Sequence, residues 1–343
     1  MKATFFKTLS ATVAIIFIYL SIINYLRAPI GAEYWVRELM IIKHSFAKKI
    51  DAPKIILVGG SGVLFGIDAA QIERSIGIPC LNYGLHAAMR LEWLLDAVKE
   101  IAKPGDILII ALEQAYYNQS AGWSEWQLRN SIAWNNGYIT KQSLFNKMLI
   151  YYNAGTLDMA LDLIQDWFAS QSSNPPEYII KRNEALLPEK QIIHLFQPTK
   201  QNAIEFPFYR KMEIDDHGTA LPPDVAEYRG NFVPINTPST IAPYVKSQLA
   251  KFISEMKAQN IKVYFVNAPY GYDCKNLNSS SFKNQEDIFR EEISNLGSQV
   301  IDERKYLLME RNMFFDTLLH LNKKGKYLRT EYLIKVLRKK VLN

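Results

Sequence analysis

The stretch "KIILVGGSGVLFGID", residues 54–68, decides the fold class of this 343-residue chain. Strongly β-forming apolar residues run directly into two glycines, a serine and a third glycine, and a helical pattern follows. A short apolar run that ends at glycines is typical of a buried parallel strand. An open α/β sheet binds its ligands at the carboxyl ends of its strands, which is where Ser61 stands. Ser61 is therefore a candidate nucleophile, and the glycine turn is a candidate phosphate site.

Strand and helix patterns alternate on both sides of this stretch, which predicts an α/β fold with a three-layer, doubly wound parallel sheet. The predicted strands are residues 54–60, 78–84, 106–113, 261–270 and 299–302. The predicted helices are residues 68–76, 91–103, 241–259 and 284–296, with a long C-terminal helix capped near Asn322.

The alternation stops between residues 114 and 238, where Trp, Pro, Asn and Tyr are frequent and only residues 144–169 have a helical pattern. This part is predicted to be a large, mostly helical and irregular insertion or lid. The predicted organisation is an anchor at 1–27, a connector at 28–53, an α/β domain at 54–113 and 239–343, and the insertion at 114–238.

The N-terminal segment "TLSATVAIIFIYLSIINYL", residues 8–26, contains no charged residue. Its length approaches the ~20 residues that cross a bilayer core, and basic residues flank it, Lys2 and Lys7 before and Arg27 after. The apolar region is longer than the roughly 7–15 residues of a cleaved signal peptide, so an uncleaved transmembrane anchor is favoured over a secretion signal. We expect a single-pass inner-membrane protein whose remaining chain is extracytoplasmic, in the periplasm.

Two cysteines, Cys80 and Cys274, would lie in a compartment where a disulfide persists. Because Cys80 falls within a predicted apolar strand, its interpretation as a small buried hydrophobic residue is preferred.

The charge pattern gives no indication of a nucleic-acid partner. The net charge is +6, but Lys and Arg are spread along the chain, and their one compact cluster in the last helix is explained by a solvated helix face. No His, Cys and Asp cluster has metal-ligand spacing, so neither a metal nor another cofactor is predicted.

Three familiar glycine motifs fail at Ser61. A P-loop requires a Lys after its last glycine, and Gly66 is not followed by one. A dinucleotide fingerprint requires a tighter glycine spacing and an acidic residue at the end of the second strand, where this chain has Asn82, Tyr83 and Gly84. The G-x-S-x-G elbow is missed by one residue, since Val63 occupies the second glycine position.

A nucleophilic serine needs a base, and the base needs an orienting carboxylate. Of the five histidines, His320 is the best candidate, because it follows the last predicted strand and Asp316 stands four residues before it. The remaining four histidines are His44 in the connector, His86 just after the second predicted strand, and His194 and His217 in the insertion.

Three segments of this chain resemble sequence blocks of the SGNH/GDSL hydrolase superfamily: "GGSGVLFGID", "LNYGLHAA" and "FFDTLLHLNKKG". With its N-terminal anchor, long insertion and "HLN-x-x-G" ending, the chain is similar to the membrane-anchored branch that modifies bacterial cell envelopes. That branch includes the D-alanyl-transfer protein of teichoic acids and the O-acetylation proteins of alginate and peptidoglycan.

The resemblance implies an SGNH-like, flavodoxin-like fold with Ser61 as nucleophile, His320 as base and Asp316 as its orienting acid. Gly84 would donate its backbone N–H to the oxyanion, and Asn82 or Asn118 would replace the asparagine that is absent after the third strand. The implied function is acyl transfer, with acetyl the expected group, to an envelope glycan, or its hydrolysis, in partnership with a membrane-bound O-acyltransferase.

Two departures keep a second interpretation open. The third-block asparagine is absent, and the final block has D-x-x-x-H instead of D-x-x-H. The alternative is a catalytically inactive SGNH-like protein that binds glycan or forms a scaffold for the acyltransferase. The aromatic residues Trp123, Trp126, Trp134, Tyr116 and Tyr117 are candidates either for stacking on sugar rings or for the insertion's own core.

Overall fold

The protein is described by a computed structural model over residues 6–8, 10–15, 18, 32–140, 142–154, 164–195, 214–220, 240–271 and 280–342. The strands are β1 (Ile55–Gly59), β2 (Cys80–Gly84), β3 (Ile107–Ile110), β4 (Lys262–Phe265), β5 (Tyr270–Gly271) and β6 (Leu308–Met309). The helices are α1 (Tyr34–Lys49), α2 (Ser61–Leu64), α3 (Ala69–Ile76), α4 (Leu91–Lys99), α5 (Gln114–Tyr117), α6 (Glu125–Ala133), α7 (Asn136–Thr140), α8 (Leu144–Asn153), α9 (Glu177–Ala185), α10 (Glu189–Leu195), α11 (Pro243–Ala258), α12 (Ser280–Asn295) and α13 (Lys323–Lys340).

The main sheet has four parallel strands in the order β2-β1-β3-β4, which confirms the predicted α/β class with a parallel sheet. β1 is central, and Ile55 pairs with Cys80 on one side and with Ile107 on the other. All residues of β1, β2 and β3 are buried, as expected for strands covered on both faces. The predicted strand at 299–302 is present as a parallel bridge between Phe265 and Val300.

The predicted strand 261–270 is shorter in the structure and ends at Phe265. Its neighbour Val266 still donates to the carbonyl of Ile110, but the N–H of Asn267 is taken by the carboxylate of Asp302. The hydrogen-bond ladder therefore stops there, because a side chain replaces the next strand partner.

One buried cluster joins the sheet to α3 and α13 through apolar side chains: Ile55, Leu57, Ile72, Cys80, Ile107, Ile109, Leu333, Ile334 and Leu337. Cys80 is a free, buried thiol in this cluster, whereas Cys274 lies outside the described residues. Asn322 caps α13 with its side chain, which accepts from the N–H of Gly325, as the sequence predicted. The same cap fixes the chain direction directly after His320.

The chain divides into two compact units, one of Met1–Arg37 with Trp123–Pro188 and the other of Glu38–Gly122 with Glu189–Asn343. In the first unit α6, α7 and α8 pack around Leu128, Ile132 and Ile150. The second unit contains the main sheet. The boundaries predicted for the insertion, 114–238, remain a prediction.

Among the residues that the structure describes, no helix is both long and apolar enough to cross a bilayer. Most of the predicted anchor at residues 8–26 lies outside the described residues. Within the region predicted to be helical at 144–169, residues 155–163 also lie outside them.

Candidate active site

Ser61 lies in the turn that joins β1 to α2, at the carboxyl end of the central strand. It is the first residue of the short helix α2, and only 6% of its surface is exposed. Across the described ranges, no hydrogen bond is made by its hydroxyl or by its own N–H. Both groups are thus available to a substrate that reaches this turn.

The N–H groups on either side of Ser61 are held by one carboxylate, that of Glu113. Its Oε2 accepts from the N–H of Gly60 at 3.1 Å, and its Oε1 accepts from the N–H of Gly62 at 2.6 Å. Glu113 follows β3 and is only 1% exposed. These are the N–H groups that a phosphate would need, so the glycine turn already holds an anion, and that anion belongs to the protein.

The two glycines beside Ser61 are explained by the same carboxylate. A Cβ atom on Gly60 would lie 2.7 Å from Oε2 of Glu113, and one on Gly62 would lie 2.9 Å from Oε1. Distances this short are closer than carbon and oxygen tolerate without displacement. The absence of a Cβ atom at Gly60 and Gly62 therefore allows the carboxylate of Glu113 to approach the backbone closely.

A buried guanidinium reaches this turn from the C-terminal helix. Nη1 of Arg329, on α13, donates to the carbonyl of Gly62 at 2.7 Å. Burial lowers the pKa of Arg329 to about 10, a shift opposed by the charges of Glu113 and Asp302. Burial likewise raises the pKa of Glu113, opposed by the N–H groups of Gly62 and Gly60 and by Arg329.

His320 and Asp316 form the pair expected from the sequence, with Nδ1 of the imidazole 2.7 Å from Oδ1 of the carboxylate. Because an ionised carboxylate only accepts hydrogen bonds, Nδ1 carries the hydrogen and Nε2 keeps its basic lone pair. Nε2 makes no hydrogen bond within the described parts of the chain. The side chain of His320 is 7% exposed and that of Asp316 is 41% exposed, so the base is buried and its orienting acid is partly solvated.

Three contacts bring the Ser61 turn and the His320 loop together. The ring of Phe65, four residues after Ser61, lies 4.6 Å from the imidazole of His320 between centroids. Arg329, on the helix that follows His320, holds the carbonyl of Gly62. Farther along the chain from both, the N–H of Asp68, just before α3, donates to Oγ1 of Thr330, on α13, at 3.0 Å.

Two of the three residues predicted to form the oxyanion hole, Gly84 and Asn82, are engaged in other hydrogen bonds. The N–H of Gly84 donates to Oδ1 of Asn82 at 2.9 Å. Nδ2 of Asn82 donates to the carbonyls of Val63 and Ile67. Gly84 and Asn82 would each have to break these hydrogen bonds to reach an oxyanion. Asn118 ends α5, is exposed, and makes no side-chain hydrogen bond among the described residues.

A second histidine, His86, follows β2 and lies near His320. Its pKa is lowered to about 4, first by burial and then by the nearby His320. Its Nδ1 accepts from the N–H of Ala88 at 3.1 Å, so a neutral ring carries its hydrogen on Nε2. The sequence signal for this placement was its position two residues after the end of a strand beside β1.

The aromatic side chains named as sugar-stacking candidates divide by burial. Tyr116 and Tyr117 are almost completely buried, and the hydroxyl of Tyr116 donates to the carbonyl of His86. Trp123 is partly buried, and its Nε1 donates to the hydroxyl of Tyr138 within the core of the first unit. For these three residues the geometry favours a place in the protein's own core over stacking on a sugar ring.

One group of potential metal ligands is present in the described residues: Asp215, Asp216 and His217, whose ligand atoms lie within 4.8 Å of one another. Oδ1 of Asp215 already accepts from the N–H groups of His217 and Thr219, and the imidazole of His217 pairs with Asp216 and Glu73. Internal partners therefore account for this cluster.

No protein-family model and no curated protein matches this sequence.

Proposed function

We propose that this protein is an SGNH-like serine acyltransferase or esterase, built on a three-layer, doubly wound α/β domain. The observation that supports it is the His320–Asp316 pair, whose loop packs against the turn that carries the unpaired hydroxyl of Ser61. A nucleophile, a base with a free Nε2 and an acid that fixes the tautomer are the three groups that acyl transfer through serine requires.

In the proposed reaction, Nε2 of His320 takes the proton of Ser61 as Oγ attacks the acyl carbonyl. The N–H of Ser61 lies beside the developing oxyanion and stabilises it by hydrogen bonding. The tetrahedral intermediate collapses to an acyl-serine, and the leaving group receives the proton from His320. His320 then takes a proton from an acceptor hydroxyl or from water, which attacks the acyl-serine. As the second tetrahedral intermediate collapses, the bond from the acyl carbon to Oγ breaks and His320 returns the proton to Oγ of Ser61.

The proposed acceptor is a hydroxyl of a cell-envelope polysaccharide, and the proposed acyl group is acetyl. This part of the proposal is supported by the apolar, charge-free segment at residues 8–26, which would anchor the chain in the inner membrane with the site on the periplasmic side. A membrane-bound O-acyltransferase is the proposed acyl source.

A second candidate function is a catalytically inactive glycan-binding or scaffold protein of the same fold. It is favoured by one observation, the hydrogen bond from the N–H of Gly84 to Asn82, which removes a donor that an oxyanion hole would use. An oxyanion-hole donor is typically worth about 3–4 kcal/mol of transition-state stabilisation, so its loss would slow acyl transfer considerably.

Turnover of an activated acetyl ester by the full-length protein in detergent micelles separates the two candidates. Wild type is compared with Ser61→Ala and His320→Ala, with and without an oligosaccharide acceptor, and both free acetate and acetylated sugar are quantified. The proposal predicts turnover that both substitutions abolish. Equal background rates in all three proteins, together with retained binding of the oligosaccharide, would favour the inactive protein.

A further inference from the structure

Glu113 is a fully buried acid for which the reaction described above has no chemical use. Burying a carboxylate is costly unless hydrogen bonds and opposite charge compensate it. Here the compensation comes from the two N–H groups that flank Ser61 and from the charge of Arg329. The groups that compensate this buried charge therefore lie mainly in the turn that carries Ser61.

The carboxylate restrains the backbone on both sides of a single residue. Gly60 and Gly62 each donate to a different oxygen of Glu113, so the Gly59–Gly60 and Ser61–Gly62 peptide groups are fixed by one rigid, planar group. Arg329 holds the carbonyl of Gly62 at the same time. Glycine leaves room for the carboxylate at both positions, and the hydrogen bonds to Glu113 then hold the backbone in place.

We propose that Glu113 is a positioning residue, which fixes the main chain around Ser61 and so holds Oγ in the orientation for attack. This inference rests on the proposed function, since it assigns Glu113 a role in the reactivity of Ser61. Glu113 touches no reacting atom and acts only through the turn.

The test is Glu113→Gln in the full-length protein, assayed with the activated ester. The amide keeps the shape of the side chain, but its NH2 group must face the N–H of either Gly60 or Gly62, so one hydrogen bond is lost and the turn shifts. A displacement of about 1 Å at a reacting group typically costs on the order of 100-fold in rate. We expect kcat to fall about 100-fold while KM changes less than about twofold.

Asp106→Asn is the matched control. Asp106 is also a buried acid that accepts from two main-chain N–H groups, those of Lys54 and Lys103, and it lies at the opposite, amino-terminal end of β1 and β3. It additionally pairs with the ammonium group of Lys54 at 2.7 Å, so its loss should destabilise the fold at least as much. We expect Asp106→Asn to lower the melting temperature and leave kcat per folded molecule unchanged.

Each outcome has a defined meaning. A folded Glu113→Gln protein with wild-type kcat would refute the positioning role, and so would a fall in kcat no larger than the fall in the folded fraction. A rise in KM with kcat unchanged would also refute it.

If the glutamine variant does not fold, Glu113→Asp carries the test, because it keeps the charge but withdraws the carboxylate by about 1.5 Å. That variant should also lose kcat. A wild type without Ser61-dependent turnover would refute the proposed function itself.

Discussion

Replacing Asp316 by Asn tests how strongly the orienting acid contributes to the proposed base. The amide can keep the contact to Nδ1 of His320 only by accepting through its oxygen, and it no longer carries the charge that stabilises the imidazolium formed during attack. Two unit charges about 4 Å apart attract by about 1 kcal/mol in bulk water and by about 4 kcal/mol at the effective dielectric of a protein surface.

Partial exposure of Asp316 places the contribution between these limits. Its side chain is 41% exposed, whereas His320 is 7% exposed, so we expect about 2 kcal/mol. At roughly 1.4 kcal/mol per factor of ten, this is about a 30-fold loss in kcat/KM. His320→Ala removes the base and should cost about a thousandfold.

The assay is kcat/KM for the activated ester over both single variants and the double variant. Because Asp316 acts only through His320, the double variant should be no slower than His320→Ala alone. Wild-type kcat/KM in Asp316→Asn would refute the orienting role. A further loss when Asp316→Asn is added to His320→Ala would show that the carboxylate acts on something other than the imidazole.

Two further predictions concern the turn and the acid stability of the fold. Gly62→Ala places a Cβ atom 2.9 Å from Oε1 of Glu113, so we expect it to lower both the melting temperature and Ser61-dependent turnover; Gly137→Ala, whose new Cβ meets its nearest neighbour at 3.8 Å, should lower neither. Turnover of Gly62→Ala equal to wild type would contradict the close approach of the carboxylate. The pKa of His44 is lowered to about 4, first by burial and then by Lys48, so the unfolded chain binds more protons than the folded one between about pH 6.5 and 4. The contribution of His44 to the free energy of unfolding is therefore fully present above pH 6.5 and is lost as pH falls toward 4. His44→Gln keeps an acceptor for the hydroxyl of Tyr83 and should lose less stability than wild type between pH 7 and 5 in urea titrations; an unchanged pH dependence would contradict it.

The fold class was predictable because its signals are local. β1 is an apolar run that ends at glycines, and Asn322 caps α13 with a side chain three residues from its partner. The pairing of His320 with Asp316 is local too, since both lie in one short loop. The strand limits were less predictable, because Asp302 ends the β4 ladder from 35 residues away.

Glu113 could not be assigned from the sequence. It stands 53 residues from Gly60, and only the packing of β3 beside β1 brings it to the turn. The hydrogen bond that occupies the N–H of Gly84 was easier to predict, because its partner Asn82 is only two residues away. An Asn side chain that bonds its own backbone two residues on is a common local motif, and it offered a signal that Asn82 serves the backbone.

Covalent labelling by a fluorophosphonate, which reacts with an activated serine, tests whether Ser61 is the nucleophile. The full-length wild type, Ser61→Ala and His320→Ala are incubated with the reagent, and the adduct is counted by intact mass and located by peptide mapping. The account predicts a single adduct on Ser61 that is absent from Ser61→Ala and forms far more slowly in His320→Ala. Labelling of His320→Ala at the wild-type rate, or no adduct on Ser61 in the folded wild type, would contradict it.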